Sequence, residues 1–202
     1  YHIDVQSVVN CEISSGTLSN DYECGDNATY VFTPAEGYYV QNIVVDGVQL
    51  PADDHYDFVG IHADHTISAV VAQYMYQLQC EVISGEGSVE PESAMLPYGT
   101  DTVVRISPSA CYHIDSVFVN DVYVGSPSQY AFNDITGDRT LRVVFARDPF
   151  YVAAIQADGG SIVPADTSWL LCGDPLTYTI TPAQGYYVSA LLIDGVTTAA
   201  AN

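Results

Sequence analysis

The sequence predicts a mainly all-β protein, built from tandem repeats of about 74 residues and holding at most short helical turns. Three observations carry this prediction. The stretch Thr33-Pro34-Ala35-Glu36-Gly37-Tyr38-Tyr39-Val40 recurs as Thr181-Pro182-Ala183-Gln184-Gly185-Tyr186-Tyr187-Val188. The weaker match Ser107-Pro108-Ser109-Ala110-Cys111-Tyr112-His113-Ile114 lies midway, so Pro34, Pro108 and Pro182 are evenly spaced. Within each copy apolar and polar residues alternate with a period of two, the signature of half-buried strands. Turn residues separate the runs at the same spacing, as at Cys24-Gly25-Asp26, Tyr98-Gly99-Thr100 and Cys172-Gly173-Asp174. Self-similarity at a fixed period marks a chain of repeated units. The copies span 1–75, 76–150 and 151–202, and the third lacks the counterpart of residues 54–75. Tyr-His-Ile-Asp, at 1–4 and 112–115, is out of phase with the repeat and is read as coincidence.

Each copy opens on a strand. Tyr1, Ile3 and Val5 alternate with His2 and Asp4, and Tyr76, Leu78, Cys80 and Val82 with Gln77, Gln79 and Glu81; Tyr151 opens the third copy. A glycine turn follows at Ser14-Ser15-Gly16, Gly85-Glu86-Gly87 and Asp158-Gly159-Gly160. The next runs, Thr29–Phe32, Thr102–Ile106 and Leu176–Ile180, each lead to a proline, which has no N–H to give to a ladder. Ile43–Val45, Val117–Val119 and Leu191–Ile193 then reach Asp46-Gly47, Asn120-Asp121 and Asp194-Gly195. Such pairs suit a tight hairpin turn with positive φ. Two more strands close the complete copies, around Tyr56–Phe58 with Thr66–Val71 and Tyr130–Phe132 with Thr140–Phe145. Alternation breaks between Val40 and Ile43, which leaves room for one helical turn across 36–43.

Charge narrows the function. The chain of 202 residues has four Lys+Arg against 25 Asp+Glu, a formal charge of −21, and all its cations are arginines. Almost nothing is available to neutralise phosphates, which argues against nucleic acid as a partner. Attraction to an anionic membrane surface is disfavoured for the same reason. No apolar run approaches the roughly 20 residues a membrane helix needs, so direct membrane insertion is not expected in this segment. Hydrophobic residues make up 48%, enough for a packed fold. The chain opens on Tyr1 without a signal peptide and stops within a repeat, so it is read as a segment of a larger precursor.

The five cysteines are Cys11, Cys24, Cys80, Cys111 and Cys172, with no C-x-x-C pair to suggest zinc or thioredoxin chemistry. Cys11 and Cys24 flank one hairpin-like segment and are candidates to pair, as are Cys80 and Cys111 if their strands are neighbours. Cys172 is then left over, available to bridge to another chain; the alternative is a set of buried free thiols. Asp53, Asp54 and Asp57 are weak candidates for calcium, which takes oxygen ligands, although the spacing fits no EF-hand and a solvated acidic loop is favoured. His62 and His65, with His55 near, read as a solvated loop rather than a zinc site, which needs fixed geometry and further ligands. Asn27-Ala28-Thr29 is an acceptor sequon. No nucleophile elbow is present, and catalysis is not expected. No organic cofactor is implied.

Copy two in full reads Gly85-Glu86-Gly87-Ser88-Val89-Glu90-Pro91, Tyr98-Gly99-Thr100, Ser107-Pro108, Tyr112-His113-Ile114 and Val117-Phe118-Val119-Asn120-Asp121. It ends Tyr130-Ala131-Phe132, Ile135, Asp138, Thr140, Val143, Phe145. This resembles the divergent B-repeat of internalin-like bacterial surface proteins, as two full copies and one truncated copy. Cys111 and Asp121 stand where the family usually has glycine, which argues for altered turn geometry in copy two. The first copy ends in Val70-Val71 without the final Phe. The resemblance implies small β-grasp-like or β-sandwich-like modules, strung in tandem in large secreted or surface-attached proteins, without catalytic residues to carry over.

The expected function is structural: a stalk or filament body outside the cell, stiffened by the short joints Ala72-Gln73-Tyr74-Met75 and Ala146-Arg147-Asp148-Pro149. Its expected partners are neighbouring repeats or identical subunits, joined by strand donation into the incomplete third copy. The rival expectation is an adhesin that holds a glycan or host protein. Tyr38-Tyr39 and Tyr186-Tyr187 would supply its stacking surface, one ring of each pair pointing inward and one outward.

Overall fold

A computed structural model of the chain describes residues 1–16 and 20–198. It is all-β: the described residues form strands, turns and bends, and none is helical. The first copy contains β1 (Ile3–Val5), β2 (Cys11–Ser14), β3 (Ala28–Pro34), β4 (Tyr38–Val45), β5 (Val48–Pro51), β6 (His55–Phe58) and β7 (His65–Gln73). One sheet has the order β1-β7-β4-β5 and a second the order β2-β3-β6. β7 runs parallel to β1 and antiparallel to β4. The last strand of the copy thus lies between its first and fourth. The two sheets enclose one core: Ile3, Ile43, Val45, Ile67 and Ala69 from the first, Tyr30, Phe32 and Phe58 from the second. Side chains one residue out of phase face water, as the period of two requires.

The second copy repeats this plan. Its strands are β8 (Met75–Ser84), β9 (Gly87–Glu90), β10 (Ser93–Pro97), β11 (Thr102–Pro108), β12 (Tyr112–Val119), β13 (Val122–Tyr123), β14 (Gln129–Phe132) and β15 (Arg139–Arg147). They form sheets of order β10-β8-β15-β12-β13 and β14-β11-β9. β15 is parallel to β8 and antiparallel to β12, as β7 is to β1 and β4. Leu78, Val104, Val117, Leu141 and Val143 are fully buried in this core. Each such side chain contributes roughly 1.5–3 kcal/mol on burial, so both complete copies carry a driving force of their own.

The third copy contains β16 (Pro149–Ala153), β17 (Gly160–Val163), β18 (Thr167–Leu171), β19 (Thr179–Pro182), β20 (Leu191–Ile193) and β21 (Val196–Thr198). They pair as separate ribbons, β16 with β18, β17 with β19 and β20 with β21. The equivalent of β15, which would lie between β16 and β20, is not among the described residues. No side chain described in this copy reaches full burial, and Ile193 is exposed where its counterpart Val45 is buried in the first copy.

Two local expectations are corrected. No helical turn forms across 36–43, because β4 runs through most of it. The broken alternation is a β-bulge: the register shifts between Val40 and Asn42, and again at the matching place between Ile114 and Ser116. One extra residue at a bulge reverses which side chains face inward. The turns of the second copy also keep their geometry without glycine. Cys111 has φ 70° and Asp121 φ 66°, matching Gly37 at 82° and Gly47 at 78°. A left-handed non-glycine residue costs roughly 1–2 kcal/mol, a cost the surrounding ladder offsets.

Candidate functional site: the joints between modules

The residues that connect one copy to the next form a structure that occurs twice. At the first joint the N–H of Tyr74 donates to the carbonyl of Gly37 at 2.9 Å, and the N–H of Tyr98 donates to the carbonyl of Tyr74 at 2.9 Å. Gln73 Nε2 donates to the carbonyl of Tyr98 at 3.2 Å. At the second joint the N–H of Asp148 donates to Cys111, and the N–H of Cys172 donates to Asp148, both at 2.9 Å. Arg147 Nε donates to the carbonyl of Cys172 at 2.9 Å. Every donor and acceptor of the second set lies one full repeat beyond its counterpart in the first.

The loops that carry Tyr98 and Cys172 are also built alike. The N–H of Thr100 bonds to Pro97 at 3.2 Å, and that of Asp174 to Leu171 at 2.9 Å. Gly99 and Gly173 follow with φ 76° and 88°. In both joints the last strand of one module ends against this loop of the next, while the left-handed turn before β4 or β12 supports it from the other side. Two backbone–backbone bonds and one side-chain bond at each joint leave little freedom of rotation, unlike a glycine- and serine-rich linker.

The side chains differ. At the first joint the Tyr98 ring lies over Gly37, where a Cβ would come within 2.4 Å of Tyr98 Cδ1. Glycine at this position therefore serves a close approach as well as a positive φ. The Tyr98 hydroxyl donates to the Glu36 carboxylate. That bond, which a phenolate could not make, pushes the Tyr98 hydroxyl up to about 12. Tyr39 packs on Tyr74 with ring centroids 5.0 Å apart, Tyr74 on Tyr76 at 6.4 Å, and Tyr76 on Tyr98 at 6.5 Å.

At the second joint the matching positions hold Cys111 and Cys172, which form a disulfide with Cα atoms 5.4 Å apart. His113 and Asp148 replace the Tyr39–Tyr74 pair and meet at 2.8 Å, Nδ1 to Oδ1. Arg147 Nη2 reaches the carbonyls of Cys172 and Leu171 and, at 2.7 Å, Asp174 Oδ1. The Arg147 guanidinium, helped by the N–H of Leu171, holds the Asp174 carboxyl below the usual carboxylate range.

This arrangement corrects the expected cysteine pairing. Cys111 bonds to Cys172, so Cys172 is not left over, and Cys11, Cys24 and Cys80 are free. Strand register gives the reason. Cys11 pairs with Pro34 at the far end of β3, whereas Cys24 precedes the start of that strand, a separation of roughly 20 Å at 3.3 Å per residue. Cys80 sits opposite Leu141, whereas Cys111 borders the other end of β15, where Tyr112 faces Arg147. Burial pushes the Cys80 thiol up to about 11. Cys11 contacts its own strand, Sγ to the carbonyl of Glu12 at 3.6 Å, and Cys24 lies beside His62, Sγ to Nδ1 at 3.2 Å.

The other candidates separate. Asp53 and Asp54 lie with His55, their ligand atoms within 4.8 Å of one another, while Asp57 accepts a bond from Thr29 at 2.6 Å and stands at the edge of the group, 4.0 Å from His55 Nε2. Asp54 bonds His55 Nδ1 at 2.6 Å, which lowers the carboxyl and raises the imidazole. His55, read in the sequence only as a neighbour of the histidine loop, is thus the third member of this cluster. His65 goes to Asp46 at 2.7 Å and His62 to Cys24, so the histidines have separate partners. Asn27 accepts the N–H of Gly60 at 2.7 Å. In the first copy Tyr38 is half-buried and Tyr39 outward. In the third both rings are exposed, Tyr186 at 63% and Tyr187 at 83%, and one side of the Tyr186 ring lies against Gly159.

Sequence reasoning picked out Gln73, Tyr74, Arg147 and Asp148 as joint residues but missed their partners, Glu36, Gly37, Tyr98, His113 and Asp174. For Gly37, Tyr98, His113 and Asp174 the signal was available: each lies one repeat away from an equivalent at the other joint, whereas Glu36 has only Ala110 as its counterpart. No family model matches the chain, and no curated protein sequence matches it at a significant level.

Proposed function

We propose that this chain is a non-catalytic structural segment of a large secreted or cell-surface protein, and that it acts as a stalk or extracellular filament body. The carrying observation is the repeated joint. A chain that needed only to string independent domains has no use for the same three backbone-directed bonds at both connections. A chain that must transmit length and direction does. The disulfide suits an oxidising compartment, and the net charge of −21 keeps an extended repeat soluble and self-repelling. The resemblance to internalin-type B-repeats points the same way.

The adhesin reading draws on the outward Tyr186 and Tyr187. It is the weaker of the two, because Tyr39, the counterpart of Tyr187, is occupied by Tyr74 at the first joint. Small-angle scattering of the full chain tests the structural reading. Modules of this size, each roughly 30 Å across, in a stiff line give one narrow distance distribution reaching about 90 Å. A broad distribution, as of flexible beads, would overturn it.

A further inference from the structure

Cys24 occupies in the first module the position that Cys172 occupies in the third. The loops around them agree in detail. The N–H of Asp26 bonds to Glu23 at 3.2 Å, as that of Asp174 does to Leu171 at 2.9 Å. Asp26 Oδ2 accepts the N–H of Glu23 at 2.8 Å, as Asp174 Oδ2 accepts that of Leu171 at 3.0 Å. Gly25 and Gly173 have φ 94° and 88°. The loop is set on its own module as the Tyr98 loop is: Gly25 N–H bonds to Ile61 at 2.8 Å, and Gly99 N–H to Ile135 at 2.9 Å. At Cys172 this loop carries a disulfide, and Asp174 gives its remaining oxygen to Arg147. At Cys24 the same loop presents an exposed free thiol.

We infer that the face of the first module carrying Cys24 and Asp26 is a docking and disulfide site for a module of the second-copy kind. That partner presents a cysteine at the Cys111 position and an arginine at the Arg147 position. A module of the first- or third-copy kind does not fit, because it has glycine there, Gly37 or Gly185. The joints then alternate: cysteine with cysteine, glycine with tyrosine, cysteine with cysteine. This inference rests on the structural reading above and adds a partner to it.

The chemistry balances with a small-molecule disulfide as oxidant. The Cys24 thiol loses its proton, which His62 Nδ1 is placed to take at 3.2 Å, and its thiolate attacks one sulfur of the oxidant, expelling one thiolate. The partner's cysteine thiolate then attacks Cys24 Sγ in the mixed disulfide and expels the second. Two cysteine thiols are oxidised, and one disulfide is reduced to two thiols.

The test adds a second copy of residues 76–148 directly ahead of Tyr1 of the full chain. This sets the added Cys111 and Cys24 at the separation of 61 residues found for Cys111 and Cys172. A control adds residues 1–74 instead and offers Gly37. Both are refolded in glutathione disulfide, mapped without reductant and alkylated. The expected result is a Cys24-to-Cys111 peptide in the first fusion, with Cys24 alkylated at least roughly tenfold more slowly than in the control. Equal alkylation in both, or a bond from Cys24 to Cys11, overturns the inference, provided the downstream Cys111–Cys172 bond shows that second-copy modules fold. If Cys24 stays reactive while the chain still scatters as a stiff line, this docking site is wrong and the stalk stands. Broad scattering with the new bond formed would count against the stalk alone.

Discussion

The first joint is closed by rings and the second by charge and a covalent bond, yet both hold the same backbone. Gly37 under Tyr98 and Cys111 bonded to Cys172 fill one geometric slot with different chemistry. At the second joint the slot holds a disulfide with Arg147–Asp174 beside it. The backbone of the joint is common to both connections, and the side chains set its strength.

Removing the disulfide is the most direct way to break the comparison. Closing a loop with a sequence separation of 61 residues is worth about 4 kcal/mol by loop entropy. Cys172→Ser, or a reductant, should therefore raise amide exchange strongly in β16, β17 and β18, while β8 and β15 and the first joint exchange as before. Unchanged exchange in the third module would mean that its order does not depend on the joint.

A second variant sharpens the comparison by converting one joint into the other. Gly37→Cys with Tyr98→Cys should form a disulfide on refolding, visible as a cross-linked peptide. The bond closes a loop of the same length, worth about 4 kcal/mol by loop entropy, partly offset by roughly 1 kcal/mol of lost ring contact and about 1–2 kcal/mol for a cysteine in the left-handed region. Failure of the two thiols to pair in a folded protein would show that the joints share hydrogen bonds but not the slot.

The smallest effect concerns Arg147. Arg147→Gln keeps an amide donor for the carbonyl of Cys172, as Gln73 does for Tyr98, and loses the contact with Asp174. Asp174 is held below its unfolded value, so its contribution is present above about pH 4 and lost as pH falls through the lower folded value. Protection from exchange at the Cys172–Asp174 turn, taken relative to the intrinsic amide rate at each pH, should fall in acid in the parent chain. In the variant that dependence should flatten.

Much of this was legible in the residues. The repeat period, the strands and the Asp-Gly turns follow from local rules, because alternation decides which face is apolar and positive φ selects the turn residue. The bulge at Gln41 was legible only as a fault in the pattern, and a fault does not say whether the chain coils or pairs. Tyr74 and Arg147 could be assigned to joints because they lie between copies. Their partners across the joints lie 24 residues or more away in sequence, and only the packing of one module on the next brings them together.

The cysteines show where that boundary falls. Composition and spacing determined by themselves that the protein is a repeated β chain with thiols to pair, because strand pattern and turn chemistry act over a few neighbouring residues. Which thiol meets which was decided by the tertiary structure. Register puts Cys11 and Cys24 at opposite ends of β3 and Cys80 and Cys111 at opposite ends of β15. The joint then carries Cys172 across a module boundary to Cys111. A disulfide needs its Cα atoms within about 7 Å, and distance across a boundary is a property of how folded modules meet.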